Sequence, residues 1–94
     1  MTLKIISAEK IEFEGTVESV TLPGALGLFQ VLKGHAALIS SLVPGTLTYV
    51  LEGGESQQRE IAGGVADINS NVVSVCPIFL PHRIHLSPRS YIIL

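Results

Sequence analysis

Tryptophan is absent from this sequence, and its aromatic residues are two tyrosines and three phenylalanines. With so few stacking platforms and a formal net charge of -2, the chain offers neither the basic field nor the ring faces that nucleic-acid binding uses. Cys76 is the single cysteine, which excludes an intrachain disulfide and a thiolate metal cluster and fits a reducing compartment. No window reaches the ~20 uninterrupted apolar residues of a membrane helix. Lys4, Glu9, Lys10 and Glu12 break up the apolar residues of the N-terminus, so it carries no secretory hydrophobic region. The expectation is a soluble chain, able to sit beside a membrane.

Charge is also scarce. Only 15% of the 94 residues are Asp, Glu, Lys or Arg, against 47% hydrophobic, a balance rich enough for one packed core. A domain of this size buries only ~60 to 65% of the surface its unfolded chain exposes, so a partner surface would add to its stability.

The recurring signal is period 2. Ile11 and Phe13 alternate with Lys10, Glu12 and Glu14, and Leu47, Tyr49 and Leu51 alternate with Thr46, Thr48 and Val50. Val73 and Val75 flank Ser74, and Asn69-Ser70-Asn71 reads as the tight turn before them. Pro23-Gly24, Gly34, Pro44-Gly45, Gly53-Gly54 and Gly63-Gly64 punctuate the chain about every 10 residues, a spacing that suits short antiparallel strands. The pattern predicts strands near 2–7, 10–14, 16–22, 28–32, 46–52, 57–62, 64–69 and 71–76. The fold class is all-β: a flattened antiparallel sandwich of two sheets with about eight to ten short strands. At 35–42, Leu38, Ile39 and Leu42 have the spacing of a short helical face, and eight residues are too few to choose between a helical turn and an irregular bridge. The sandwich domain is placed at 1–76. From Pro77 onward, Pro77, Pro81 and Pro88 predict an extended or poorly ordered tail over 77–94.

Residues able to carry chemistry are few. His82 and His85 have His-x-x-His spacing, but neighbouring prolines and the lack of a nearby carboxylate or thiolate favour plain tail histidines over a metal site. His35, after Gly34, suits a ring hydrogen-bonded to loop carbonyls, with partner contact as the other role. Ser40 and Ser41 have no acidic neighbour in sequence to build a triad. Cys76, closing an apolar strand, reads as a buried small hydrophobe. Gly24-Ala25-Leu26-Gly27 lacks the Gly-Lys-Ser/Thr and the amphipathic helix of a phosphate loop. Glu12 and Glu14 read as a solvated strand face. No catalytic, cofactor-binding or metal-binding residue is assigned. Leu26, Leu28 and Phe29 crowd a glycine-bounded loop, either as a docking patch or as the closed end of the sandwich.

Phe13-Glu14-Gly15, Val17 to Gly24, Gly27 to Leu32, Gly34-His35-Ala36, Leu42 to Gly45 and Gly63-Gly64 together resemble the N-terminal domain of the rotary ATP synthase epsilon subunit, over about residues 3 to 76. The resemblance implies a non-catalytic central-stalk rotor subunit that contacts the gamma subunit and rests on the c-ring, coupling proton-driven rotation to ATP synthesis. It implies a peripheral position on the cytoplasmic face of the bacterial inner membrane, or the equivalent organellar face. It places the c-ring contact on Gly27 to His35, with Gly27, Leu28, Phe29, Lys33, Gly34 and His35 as contact residues. Leu28 stands where the family commonly has an acidic residue, and Lys33 and Ala37 where it commonly has prolines, so an apolar contact is expected at 28. Many members continue into a two-helix hairpin that inhibits hydrolysis or binds ATP. The proline-broken 77–94 stretch is expected to form no such hairpin, inhibit nothing and bind no ATP. Two other classes remain: a free-standing sandwich module for a peptide or sugar, and a small enzyme built on His35 with a distant acid and a concave pocket.

Overall fold

A computed structural model describes residues 1–79, and every one of its regular elements is a strand. In chain order these are β1 (Thr2–Ile6), β2 (Ile11–Gly24), β3 (Gly27–Leu32), β4 (Leu38–Leu42), β5 (Gly45–Leu51), β6 (Ser56–Ile61), β7 (Gly63–Asn69) and β8 (Val72–Ile78). The all-β sandwich expected from the period-2 pattern is what forms. The strands make one continuous hydrogen-bonded ladder in the order β1-β8-β7-β4-β2-β5-β6, with β3 added on β2. All pairs are antiparallel except β1 with β8, which run parallel because β8 returns from its hairpin with β7 in the direction of the N-terminal strand.

The ladder doubles over at β2. Its first residues pair with β1, and the stretch from Val17 onward pairs with β5 and β3. The sequence reads this 14-residue strand as two, broken at Gly15. Gly15 does not break it, because the residue stays paired with Leu3 and leaves room for the Phe13 ring, which lies 3.1 Å from where a Cβ would be. The bending comes instead from two single-residue bulges. Ile5 and Ile6 oppose Phe13 and Ile11, leaving Glu12 over, and Leu51 and Val50 oppose Val17 and Ser19, leaving Glu18 over.

The first bulge overturns part of the expected alternation. Phe13 packs on the core and meets Tyr49 at 4.7 Å between ring centroids, but Ile11 is turned outward and is 58% exposed. Glu12, expected in water, is turned toward the second layer, where its carboxylate lies 3.5 Å from the Arg59 guanidinium. Arg59 also covers the Phe79 ring at 4.8 Å, so this one side chain ties β6 to β2 and to the residue after β8.

A single core lies between the layers, with Leu3 and Ile5 from β1, Val20 and Leu22 from β2, Leu47 and Tyr49 from β5, Ile68 from β7 and Val73 and Val75 from β8. Three expectations fail at its margin. Residues 38–42 form a strand and no helix, because β7 presents an open edge along its whole length and an isolated helical turn lacks the length to nucleate. Cys76 is exposed: Val73, Val75 and Pro77 hold the inward phase of β8, and period 2 sends Cys76 out. Pro77 does not end β8 but sits buried in it, opposite Gly64, whose hydrogen-only α-carbon faces the Cys76 carbonyl at a distance no Cβ tolerates. The expectations for Pro81, His82, His85 and Pro88 fall outside the described residues.

Candidate docking edge

β2 and β3 are joined by the two-residue turn Ala25-Leu26, closed by the Gly24–Gly27 pair. Gly27 sits at φ 125°, a conformation that disfavours any side chain. Gly24 is needed for a different reason: a Cβ there would lie 2.7 Å from the Phe29 ring. The ring folds back over Gly24 onto the core, so Phe29 anchors the hairpin from inside while its neighbours point away. Leu26 at the tip is fully exposed, and Leu28 is 73% exposed.

After β3 the chain turns through Lys33 and Gly34. The turn closes with His35 N–H donating to the Leu32 carbonyl at 3.0 Å, and Gly34 takes φ 85°. The His35 ring uses its Nδ1–H to hold the Ala36 carbonyl at 2.7 Å, the loop-pinning role its position suggests. Gly34 N–H donates to Asn71 Oδ1 at 2.7 Å, tying the loop to the turn between β7 and β8.

The six residues expected to share one contact are therefore not one cluster. Gly27, Leu28 and Phe29 stand at the start of β3 and Lys33, Gly34 and His35 just past its end, ~17 Å apart at strand rise. What unites them is the strand itself. β3 pairs only with β2, so its other edge is open, and its outward side chains Leu28, Gln30 and Leu32 are uncharged and exposed.

Beside the Leu28 end, β4 supplies a second apolar wall. Leu26, Leu28 and Phe29 on one side and Leu38, Ile39 and Ser40 on the other line an open groove of about 440 Å³, and no charged side chain lines it. Leu38 and Ile39 are 40% and 72% exposed. Sequence reasoning passed over both by leaving 35–42 open between a helical turn and an irregular bridge. The available signal was their adjacency, since two neighbouring apolar residues cannot both face inward from a strand. Asn71 was also missed as a partner of the loop, because nothing local links it to Gly34.

The groove has the composition of a surface that buries against another surface. Two of its polar groups converge on one acceptor: Ser40 Oγ–H donates to the Ser41 carbonyl at 3.1 Å, and Ala25 N–H donates to the same carbonyl at 3.0 Å. Among the described residues, no three of His, Cys, Asp and Glu come together as a metal-binding group.

The family model described as "ATP synthase, Delta/Epsilon chain, beta-sandwich domain" matches residues 1–77. The chain is 41% identical over 70 residues to the ATP synthase epsilon chain of Chlorobaculum tepidum, covering 74% of this chain and 80% of that one. It is 41% identical over 71 residues to the ATP synthase epsilon chain of Afipia carboxidovorans, covering 76% of this chain and 52% of that one, so it spans about half the length of that relative. Among solved structures, a chain of the Euglena gracilis mitochondrial ATP synthase, OSCP/F1/c-ring in rotational state 1, superposes with a TM-score of 0.78 at 26% identity, over 94% of this chain and 56% of that one. A chain of the Tetrahymena thermophila mitochondrial ATP synthase central stalk and c-ring shares the fold at a TM-score of 0.72 and 15% identity, over 90% and 68% of the two chains. With the family model matched along nearly all the described strands, the chain belongs to the ATP synthase delta/epsilon family and carries that family's β-sandwich domain.

Proposed function

We propose that this protein is a non-catalytic central-stalk subunit of a rotary ATP synthase, linking the gamma subunit to the c-ring so that ion-driven rotation is coupled to ATP synthesis. Membership of the epsilon family supports the assembly. The observation that carries the docking role is the uncharged groove between β3 and β4, with Leu26, Leu28 and Ile39 exposed along it. Exposed apolar side chains grouped at one edge of a small domain are the usual mark of a protein contact. In this reading Gly27, Leu28, Lys33, Gly34 and His35 face the c-ring loops, Phe29 supports them from within, and the gamma subunit holds the sandwich beside the stalk. The protein then lies at the membrane only through the complex, on the cytoplasmic face of a bacterial inner membrane or the organellar equivalent.

The test is reconstitution. The full chain is added to its cognate enzyme stripped of this subunit, and binding to the gamma and c-ring assembly is measured with coupled ATP synthesis. Stoichiometric binding and recovered coupling are expected. A chain that stays monomeric and indifferent to the assembly supports the free-standing module instead.

A further inference from the structure

We infer that Asn71 is a positioning residue for the docking loop at Lys33-Gly34-His35, an inference that rests on the docking role proposed above. Ser70 and Asn71 form the two-residue turn between β7 and β8, both in the left-handed region at φ 53° and 62°. That turn needs only a residue that tolerates positive φ, and glycine or aspartate meets the need as well as asparagine does. The amide side chain does something more. Its Oδ1 accepts from Gly34 N–H, 37 residues away in sequence, at 2.7 Å. The Asn71 carbonyl accepts from Thr2 N–H at 2.9 Å, at the head of β1.

One residue thus joins three segments: the first strand, the β7–β8 turn and the loop after β3. The joint matters because of what else holds that loop. His35 N–H to Leu32 and the His35 ring to Ala36 are bonds within the loop and its own strand. They set the loop's shape and leave its placement on the sandwich open. Gly34 to Asn71 fixes the loop against the other layer, since β7 and β8 pair with β4 and β1 while β3 pairs with β2 alone. The turn's own bond uses His35 N–H and leaves Gly34 N–H free of it, and among the described residues the Asn71 side chain is the acceptor that Gly34 N–H meets. A docking loop held in place before contact loses less conformational freedom on binding, which raises affinity without adding a contact.

The experiment uses the full chain and the cognate rotor assembly stripped of this subunit, with three variants. Asn71→Gly keeps the left-handed turn and deletes the acceptor. Asn71→Asp keeps both. Leu28→Lys disturbs the apolar end directly. Thermal unfolding, hydrogen exchange at the Gly34 amide and affinity for the assembly are measured on each. Asn71→Gly is expected to unfold within a few degrees of the parent, to exchange faster at Gly34, and to bind roughly three- to tenfold more weakly, the change that an ordinary hydrogen bond corresponds to. Asn71→Asp is expected to recover both protection and affinity. Unchanged Gly34 exchange in Asn71→Gly, or lost protection with parental affinity, overturns the positioning role. So does an Asn71→Asp chain that regains protection but not affinity. If Leu28→Lys weakens binding and Asn71→Gly does not, the positioning role alone falls. If neither variant changes affinity, the docking reading falls with it.

Discussion

The two ends of β3 are built in opposite ways. At the Leu28 end, hydrogen bonds close the turn internally and what faces outward is apolar: Leu26, Leu28, Leu38 and Ile39, without a charge among the groove-lining residues. At the Gly34 end Leu32 is the exposed apolar side chain, and the polar atoms of Gly34 and His35 are tied to Leu32, Ala36 and Asn71. Under the proposed docking role, the difference separates two requirements of the contact. Area comes from the apolar end, through burial worth about 25 cal/mol per Å², and orientation comes from the hydrogen-bonded end.

Both ends rest on the same frame, and the largest effect is expected there. Gly64 lies at φ 138° with its α-carbon against the Cys76 carbonyl, so Gly64→Ala has to open the β7–β8 pairing that also supports β4 beneath the groove. A loss of about 3 kcal/mol in denaturant unfolding is expected. Gly34→Ala is the contrast: φ is 85° but the space around the α-carbon is open, and the cost is expected near 1 kcal/mol. Equal losses at the two glycines would show that backbone conformation alone decides both sites.

Leu28→Lys and Ile39→Asp separate area from frame. Both residues are exposed, so unfolding midpoints are expected to move little, by about 0.5 kcal/mol or less. Affinity for the rotor assembly is expected to fall about tenfold or more, because a charge would have to be buried in an uncharged groove. Arg59→Ala tests a clamp remote from the groove. Losing the Phe79 face and the partly exposed Glu12 pair is expected to cost about 1 kcal/mol of stability and leave rotor binding unchanged. The smallest effect is expected from salt: with an uncharged groove and Lys33 just past the other end of β3, affinity in salt titration should fall only slightly, and a steep fall would show that Lys33 or the acidic strand faces carry more of the contact than the groove does.

Much of this frame was legible because it is local. Leu47 and Tyr49 announce β5 by alternation, and Asn69-Ser70-Asn71 announces its hairpin by turn chemistry. What escaped is set by neighbours distant in sequence. Leu38, Ile39 and Leu42 fit a helical face as well as a strand, and only the β7 edge decides between them. Ile11 and Glu12 exchange their expected environments because the bulge belongs to the β1–β2 pairing, which neither strand's own pattern encodes. Cys76 is apolar enough to be buried, but its phase in β8 is fixed by Val73, Val75 and Pro77. The candidate site divides in the same way: Leu28 and the Gly34-His35 pair were readable singly, while the β4 wall and the Asn71 tie exist only after folding.

Site-specific photocross-linking in the assembled enzyme addresses the docking surface most directly. A photoreactive residue placed at Leu28 is expected to label a loop of the c-ring, while one placed at Cys76, on the outer face of β8, is not. Labelling of the c-ring from Cys76 with none from Leu28 would contradict the groove as the contact.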